Sequence, residues 1–175
     1  MFNTNVGLFE NMKPVSSKVF DDVLVFHTDI FRDFRGTYVE SFNQAEFERY
    51  SDVKFVQDDF SSSKRNVFRG LHGDYETWKL VSCVQGEIML FIADMRDDSP
   101  TFLKTESFIL TPADPKFVLV PPGFANGHLV LSDGAVFHYK QSTYYGTKQF
   151  TVKHNDKRLS LFLPNVKLIT SERDS

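Results

Sequence analysis

The sequence predicts an all-β protein, a jelly-roll β-sandwich with a few short helices, and three observations carry that expectation. Short stretches rich in Val, Ile, Phe and Tyr recur along most of the chain, as strands packed on one another require. Turn-forming clusters such as Thr111-Pro112-Ala113-Asp114-Pro115 and Ser132-Asp133-Gly134 separate them, which favours a sandwich over a parallel α/β sheet. The chain also carries 19 Phe in 175 residues, enough for a thick aromatic-lined interior or pocket.

Taken in order, residues 1–16 are weakly patterned and read as an arm, loose or docked on a partner subunit. Asn43 is placed to cap a short amphipathic helix over residues 44–50, with Phe47 and Tyr50 on one face. A strand over residues 55–60 precedes a polar loop, Ser61-Ser62-Ser63-Lys64. Residues 78–84 and 87–93 are strand-like and meet at Gln85-Gly86, a hairpin signal. Further strands fall at 107–110, 117–120, 128–131 and 135–141, with a last one at 159–163. Residues 165–175 form a polar tail. With no repeat, linker or low-complexity segment, 1–175 reads as one domain, long enough for a sizeable core.

A formal net charge of -3 argues against a general nucleic-acid binder, which needs a basic surface. It leaves room for a small anionic ligand gripped by a few arginines. Cys83, the only cysteine, lies in the apolar run Leu80-Val81-Ser82-Cys83-Val84 and reads as a core filler. Met1-Phe2-Asn3-Thr4-Asn5 lacks the pattern of a signal peptide, and no apolar run approaches the roughly 20 residues of a membrane span. The expectation is a cytoplasmic protein that binds neither membrane nor nucleic acid.

Five histidines, at positions 27, 72, 128, 138 and 154, raise the idea of a metal-binding cupin. The spacing is poor for it: His72, Glu87 and His128 can be assembled as a set, but nothing fixes their convergence. His72, between Arg69 and Lys79, stands better as a lone base, since an imidazole with a pKa near ~6.5 is neutral enough at pH 7 to accept a proton. From that segment alone a hydrogen-bonded loop histidine is an equal reading. In Val136-Phe137-His138-Tyr139-Lys140, alternation puts Phe137 and Tyr139 on one face and His138 and Lys140 on the other. Arg35-Gly36 and Arg69-Gly70 set a cation beside a tight turn, and two guanidinium forks suit a diphosphate. These residues describe a pocket rather than a reaction.

The ordered segments Asp33-Phe34-Arg35-Gly36-Thr37-Tyr38-Val39-Glu40-Ser41, Phe55-Val56-Gln57-Asp58-Asp59-Phe60-Ser61, Arg69-Gly70-Leu71-His72, Lys79-Leu80-Val81, Pro121-Pro122-Gly123-Phe124-Ala125, Tyr139-Lys140 and Ser171-Glu172-Arg173-Asp174 resemble the dTDP-4-dehydrorhamnose 3,5-epimerase family. The resemblance runs over roughly residues 20 to 174 and rests on the number of matches in order, since each motif alone is weak. It implies a jelly-roll homodimer with exchanged N-terminal strands, using no metal and no cofactor. It implies that His72 removes a proton next to the C4 ketone of a nucleotide-diphosphate-linked 4-keto sugar, that Lys79 stabilises the enolate, and that Tyr139 protonates the carbon from the opposite face. Asp174 would orient His72, while Arg35, Glu40, Gln57 and Arg69 would hold the substrate, the first two reaching over from the partner subunit.

The chain departs from that family in the loop Gly73-Asp74-Tyr75-Glu76-Thr77-Trp78, at His154, where the family often has tryptophan, and in one segment of most interest. Where the family reads Ala-His-Gly-Phe, this chain reads Ala125-Asn126-Gly127-His128, so Asn126 and His128 become candidates for substrate contact and choice. With Arg-Gly-Leu-His-Gly-Asp, this resembles a branch acting on GDP-linked 4-keto heptoses for capsule polysaccharides. Inversion at both C3 and C5 and inversion at C3 alone stay open. A sugar-nucleotide 3,4-ketoisomerase and a non-catalytic binding module on the same fold are the alternatives.

Overall fold

The computed structural model describes residues 14–146 and 148–174. The chain runs through β1 (Pro14–Ser16), β2 (Leu24–His27), β3 (Phe31–Asp33), β4 (Gly36–Tyr38), α1 (Gln44–Phe47), β5 (Gln57–Lys64) and β6 (Phe68–Gly73). It continues through β7 (Lys79–Gln85), β8 (Ile88–Asp94), β9 (Thr105–Leu110), β10 (Lys116–Val120), β11 (Phe124–Val130), β12 (Gly134–Gln141) and β13 (Phe150–Thr151). A six-stranded sheet, in the order β1-β2-β10-β7-β12-β5, faces a five-stranded sheet, β13-β6-β11-β8-β9. Every strand pairing is antiparallel. This is the expected sandwich. Of the expected arm, residues 1–13 lie outside the described residues, and the remainder is β1, an edge strand.

Apolar side chains fill three spaces. Val81, Val118, Phe137, Leu90, Ile92 and Val130 meet between the sheets. Cys83 belongs to that layer, and burial pushes its thiol up to about 11, the behaviour of an inert core residue. Phe26, Phe47, Leu80, Phe117 and Leu119 pack on the outer face of the six-stranded sheet, flanked by Phe42 and Phe55. The many phenylalanines thus serve as sheet covering more than as a pocket lining. Asn43 caps α1 through Ala45 and Glu46 as expected, and Phe47 and Tyr50 both lie against Phe26. The helix is shorter than expected, ending at Phe47 with a turn beyond it.

Several local expectations are overturned by pairing that neighbours in sequence cannot reveal. Ser61 to Lys64 is not a loop but the second half of β5, because β12 pairs with it from Gln57 to Lys64. Gln85-Gly86 is not a hairpin turn: β7 and β8 lie in different sheets, and the turn carries the chain from one to the other. Residues 159–163 form no strand; Leu159, Leu161 and Leu163 instead cover the outer face of the five-stranded sheet beside Phe91 and Leu129. The tail does not hang free. Ile169 bridges to Val67, and Asp174 is only 4% exposed. No helix among the described residues is long and apolar enough to cross a membrane.

Candidate active site

The cavity forms where β6 faces β7 and β12 across the sandwich, and a bulge in β6 creates it. Simple alternation would send Arg69 and His72, three apart, to opposite faces. Against β11, however, His72 pairs with Asn126 and Arg69 with His128, so three steps on β6 match two on its partner. The extra residue returns both side chains to the same side. Glycine is required on both strands here. A Cβ on Gly70, whose φ is +111°, would sit 2.7 Å from the Gly127 Cα, and one on Gly127 would sit 2.6 Å from the Arg69 carbonyl oxygen. Asn126 and His128, two apart on β11, also face the cavity.

The opposite wall is regular. On β7 and β12, Lys79 pairs with Gln141 and Val81 with Tyr139, so alternation points Lys79, Phe137, Tyr139 and Gln141 inward. His138 and Lys140 take the other face, as expected, and both bind Asp58 there. The resulting cavity, about 320 Å³ in volume, is bounded by His72 and Arg69 on one sheet and by Lys79 and Tyr139 on the other. The chain end closes it: Arg173 and Asp174 line the same space.

The charges in this cavity are set by burial. His72 Nε2 lies 2.7 Å from Asp174 Oδ1. An ionised carboxylate only accepts, so Nε2 carries the hydrogen and Nδ1 keeps a free lone pair in the neutral ring. Burial, with the Arg173 charge next, lowers the His72 pKa, against the raising effect of Asp174. Lys79 is 8% exposed; its Nζ donates to Asn126 Oδ1 at 3.4 Å, and burial lowers its pKa. Tyr139 is shifted upward, by burial first and then by Asp59, so its phenol holds its proton. His128, stacked on Phe137 with ring centroids 4.3 Å apart, is pushed down to about 3 by burial and stays neutral. The set comprises a neutral imidazole, a protonated phenol facing it from the other sheet, and a buried cation.

Other expected residues lie elsewhere. Arg69 donates from Nε to Ser63 Oγ at 2.9 Å at the cavity wall. Gln57 stands behind the wall, its Oε1 accepting from the backbone N–H of Tyr145 at 2.7 Å. Arg35 and Glu40 do not line this cavity. Arg35 caps the exposed β3–β4 hairpin, paired with Asp33 at 2.5 Å, and Glu40 keeps one buried carboxylate oxygen without a hydrogen bond. Glu87 lies exposed on the β7–β8 turn, so the set His72, Glu87 and His128 does not assemble. Among the described residues no group of three His, Cys, Asp or Glu could hold a metal ion. Sequence reasoning missed Gln141 and Arg173. The first was legible, two residues beyond Tyr139 on the same face; the second depends on tail docking, which leaves no local signal.

Known proteins of similar sequence and fold place the chain as a whole. A family model described as dTDP-4-dehydrorhamnose 3,5-epimerase matches residues 17–175. The dTDP-4-dehydrorhamnose 3,5-epimerase of Escherichia coli (strain K12) is 40% identical over 161 residues, which is 88% of this chain and 87% of that protein. The 3,5-epimerase of Legionella pneumophila, solved in complex with dTDP-4-keto-L-rhamnose, has a TM-score of 0.88 at 33% identity, covering 93% of this chain and 89% of that one. The Bacillus anthracis enzyme, solved with TDP and PPi bound, has a TM-score of 0.86 at 33% identity, covering 93% and 95%. Sequence likeness over nearly the whole chain and a shared fold lead to one conclusion: the chain belongs to the dTDP-4-dehydrorhamnose 3,5-epimerase family.

Proposed function

We propose that the protein is an epimerase that inverts C3, C5 or both in a nucleotide-diphosphate-linked 4-keto sugar, through an enolate. One observation carries the reading: His72 and Tyr139 stand on facing sheets and line one cavity, with Lys79 buried in the same sheet as Tyr139. A sugar ring between the sheets meets a base on one face and an acid on the other, which is what inversion requires. Nδ1 of His72 takes the proton next to the ketone. Electrons move into the C4 oxygen, where the Lys79 ammonium meets the developing charge. Tyr139 then delivers a proton to the opposite face. Asp174 holds the imidazole, and Arg69 is the wall residue suited to the diphosphate. The steps balance with no redox group.

Arg35 and Glu40 enter this scheme through a homodimer. The β3–β4 hairpin that carries Arg35 also exposes Phe34 (98%) and Tyr38 (64%), an unfavourable surface for a lone chain. A hairpin exchanged between subunits covers it and brings Arg35 to a partner's cavity. The enzyme works in the cytoplasm, where nucleotide sugars are made.

Incubation with dTDP- and GDP-linked 4-keto sugars in D₂O tests the reading. Deuterium at C3 and C5 is the outcome for double inversion, and at C3 alone for a 3-epimerase. A product with its carbonyl moved to C3 is the result for a ketoisomerase, and no exchange with any such sugar would leave a binding module. The same series decides between a dTDP hexose and the GDP heptose suggested by the segment around Asn126.

The pH profile of kcat/KM follows from the shifts. His72 works only when neutral, and its pKa is lowered, so the acid limb falls below the ordinary ~6.5 of histidine. Lys79 works only when charged and is also lowered, whereas Tyr139 is raised. The alkaline limb therefore belongs to Lys79 and lies below the usual ~10.4. In Lys79→Arg that limb is expected to disappear from the accessible range, whatever the loss in rate.

A further inference from the structure

We propose that His154 is a positioning residue for the reaction, holding Asp174 from behind so that its carboxylate meets His72. The inference rests on the reading of His72 as the base, and His154 neither lines the cavity nor touches the base itself.

Asp174 lies in a turn outside any strand, where a backbone moves unless it is tied down. Here it is buried and bonded at three groups: its carboxylate, its backbone carbonyl and its backbone N–H. Its carboxylate meets His72 Nε2 at 2.7 Å, and its backbone carbonyl oxygen lies 3.3 Å from His154 Nδ1. A carbonyl oxygen can only accept, so His154 must present Nδ1–H. The ring of His154 is itself braced, lying 5.3 Å from the ring of Phe68, which is fully buried. Phe68 and His72 both belong to β6. The contacts therefore close on themselves: β6 supports His154 through Phe68, His154 holds Asp174, and Asp174 returns to β6 at His72.

The rest of the tail is fastened to the same region. Arg173 donates to Thr151 Oγ1 at 3.3 Å and to Gln149 Oε1 at 3.1 Å, and Thr151 pairs with His72 in the β13–β6 ladder. Those bonds, with the Asp174 backbone N–H donating to the Ser171 carbonyl oxygen at 3.1 Å, hold the tail as far as the Asp174 nitrogen. His154 fixes the Asp174 carbonyl, and with it the direction of the carboxylate. Without that bond the carboxylate wanders and His72 loses both its ring orientation and the partner that raises its pKa.

The test compares two variants lacking the donor, His154→Phe and His154→Leu, with His154→Asn, whose amide N–H replaces Nδ1–H. Asp174→Asn is the reference. In the donorless variants kcat is expected to fall on the order of ten- to a hundredfold with little change in KM. The acid limb of kcat/KM should move to lower pH, because the raising influence of Asp174 on His72 weakens. His154→Asn should restore both. The proposal is overturned if either folded donorless variant keeps the wild-type kcat and acid limb, or if His154→Asn is as impaired as they are. If Asp174→Asn also leaves kcat and the acid limb unchanged, it is the assignment of the His72–Asp174 pair that fails. If Asp174→Asn is impaired and the donorless variants are not, only the role of His154 is rejected.

Discussion

His72→Asn is expected to lower the rate of solvent deuterium incorporation by on the order of 10²–10⁴-fold, the usual worth of a positioned base. The upper end is expected, because among the described residues the other cavity groups are poorly placed to take the proton from that face. Tyr139 stands on the other sheet and holds its own proton, since burial raises its pKa. His128 is neutral but stacked on Phe137, two residues from Asn126 along β11. Water is a poor replacement where the imidazole is only 23% exposed. The fold should tolerate the change. An asparagine amide ends near the place of Nδ1 and falls short of the Asp174 carboxylate, which is bonded through Nε2, so stability should drop by about 1–3 kcal/mol. Deuterium incorporation followed by NMR, beside a thermal melt, checks both parts. Exchange at the wild-type rate would reject His72 as the base. A collapsed melting temperature would instead mark it as structural.

The way the sequence disclosed this site follows the range of the forces involved. Alternation is local, and it correctly set Phe137 and Tyr139 against His138 and Lys140 (Gln141 was there to be read by the same rule). The side-chain cap at Asn43 is equally local, and it holds. Pairing between strands is not local. Gln85-Gly86 has the composition of a hairpin turn, yet the strands on either side find their partners in different sheets. Leu159 and Leu163 have the pattern of a strand but serve as a lid on one. The cavity itself depends on such a non-local event. Arg69 and His72 share a face only because β6 bulges against Gly127, and no period in the sequence announces a bulge. The family resemblance supplied His72, Lys79, Tyr139 and Asp174 together, whereas residue chemistry alone left His72 as base or loop histidine. What neither could supply was the support around them: Arg173 and His154 matter through the docking of a tail that looks merely polar.

Lys79→Met is the second change with a large expected effect, and it pulls activity and stability in opposite directions. Lys79 is buried at 8% exposure with an amide oxygen 3.4 Å away as its bonded acceptor, a weak return for a desolvated ammonium. Methionine has nearly the same length and no charge, so the variant should be more stable by about 1–2 kcal/mol at neutral pH. The sign with pH follows from linkage. A lysine whose folded pKa lies below its unfolded value destabilises the native state while charged, and the penalty fades as pH rises through the folded pKa. The gap in melting temperature between variant and wild type should therefore be widest near neutrality and narrow in alkali. Activity should fall by on the order of 10²–10³-fold in kcat, the usual loss when a group facing a developing oxyanion is removed. Both effects have one cause: the dry surroundings that make the ammonium costly to bury also make it effective on the enolate oxygen. A variant with lower stability than wild type would show the charge to be paired within the fold, and one with unchanged kcat would remove Lys79 from the reaction.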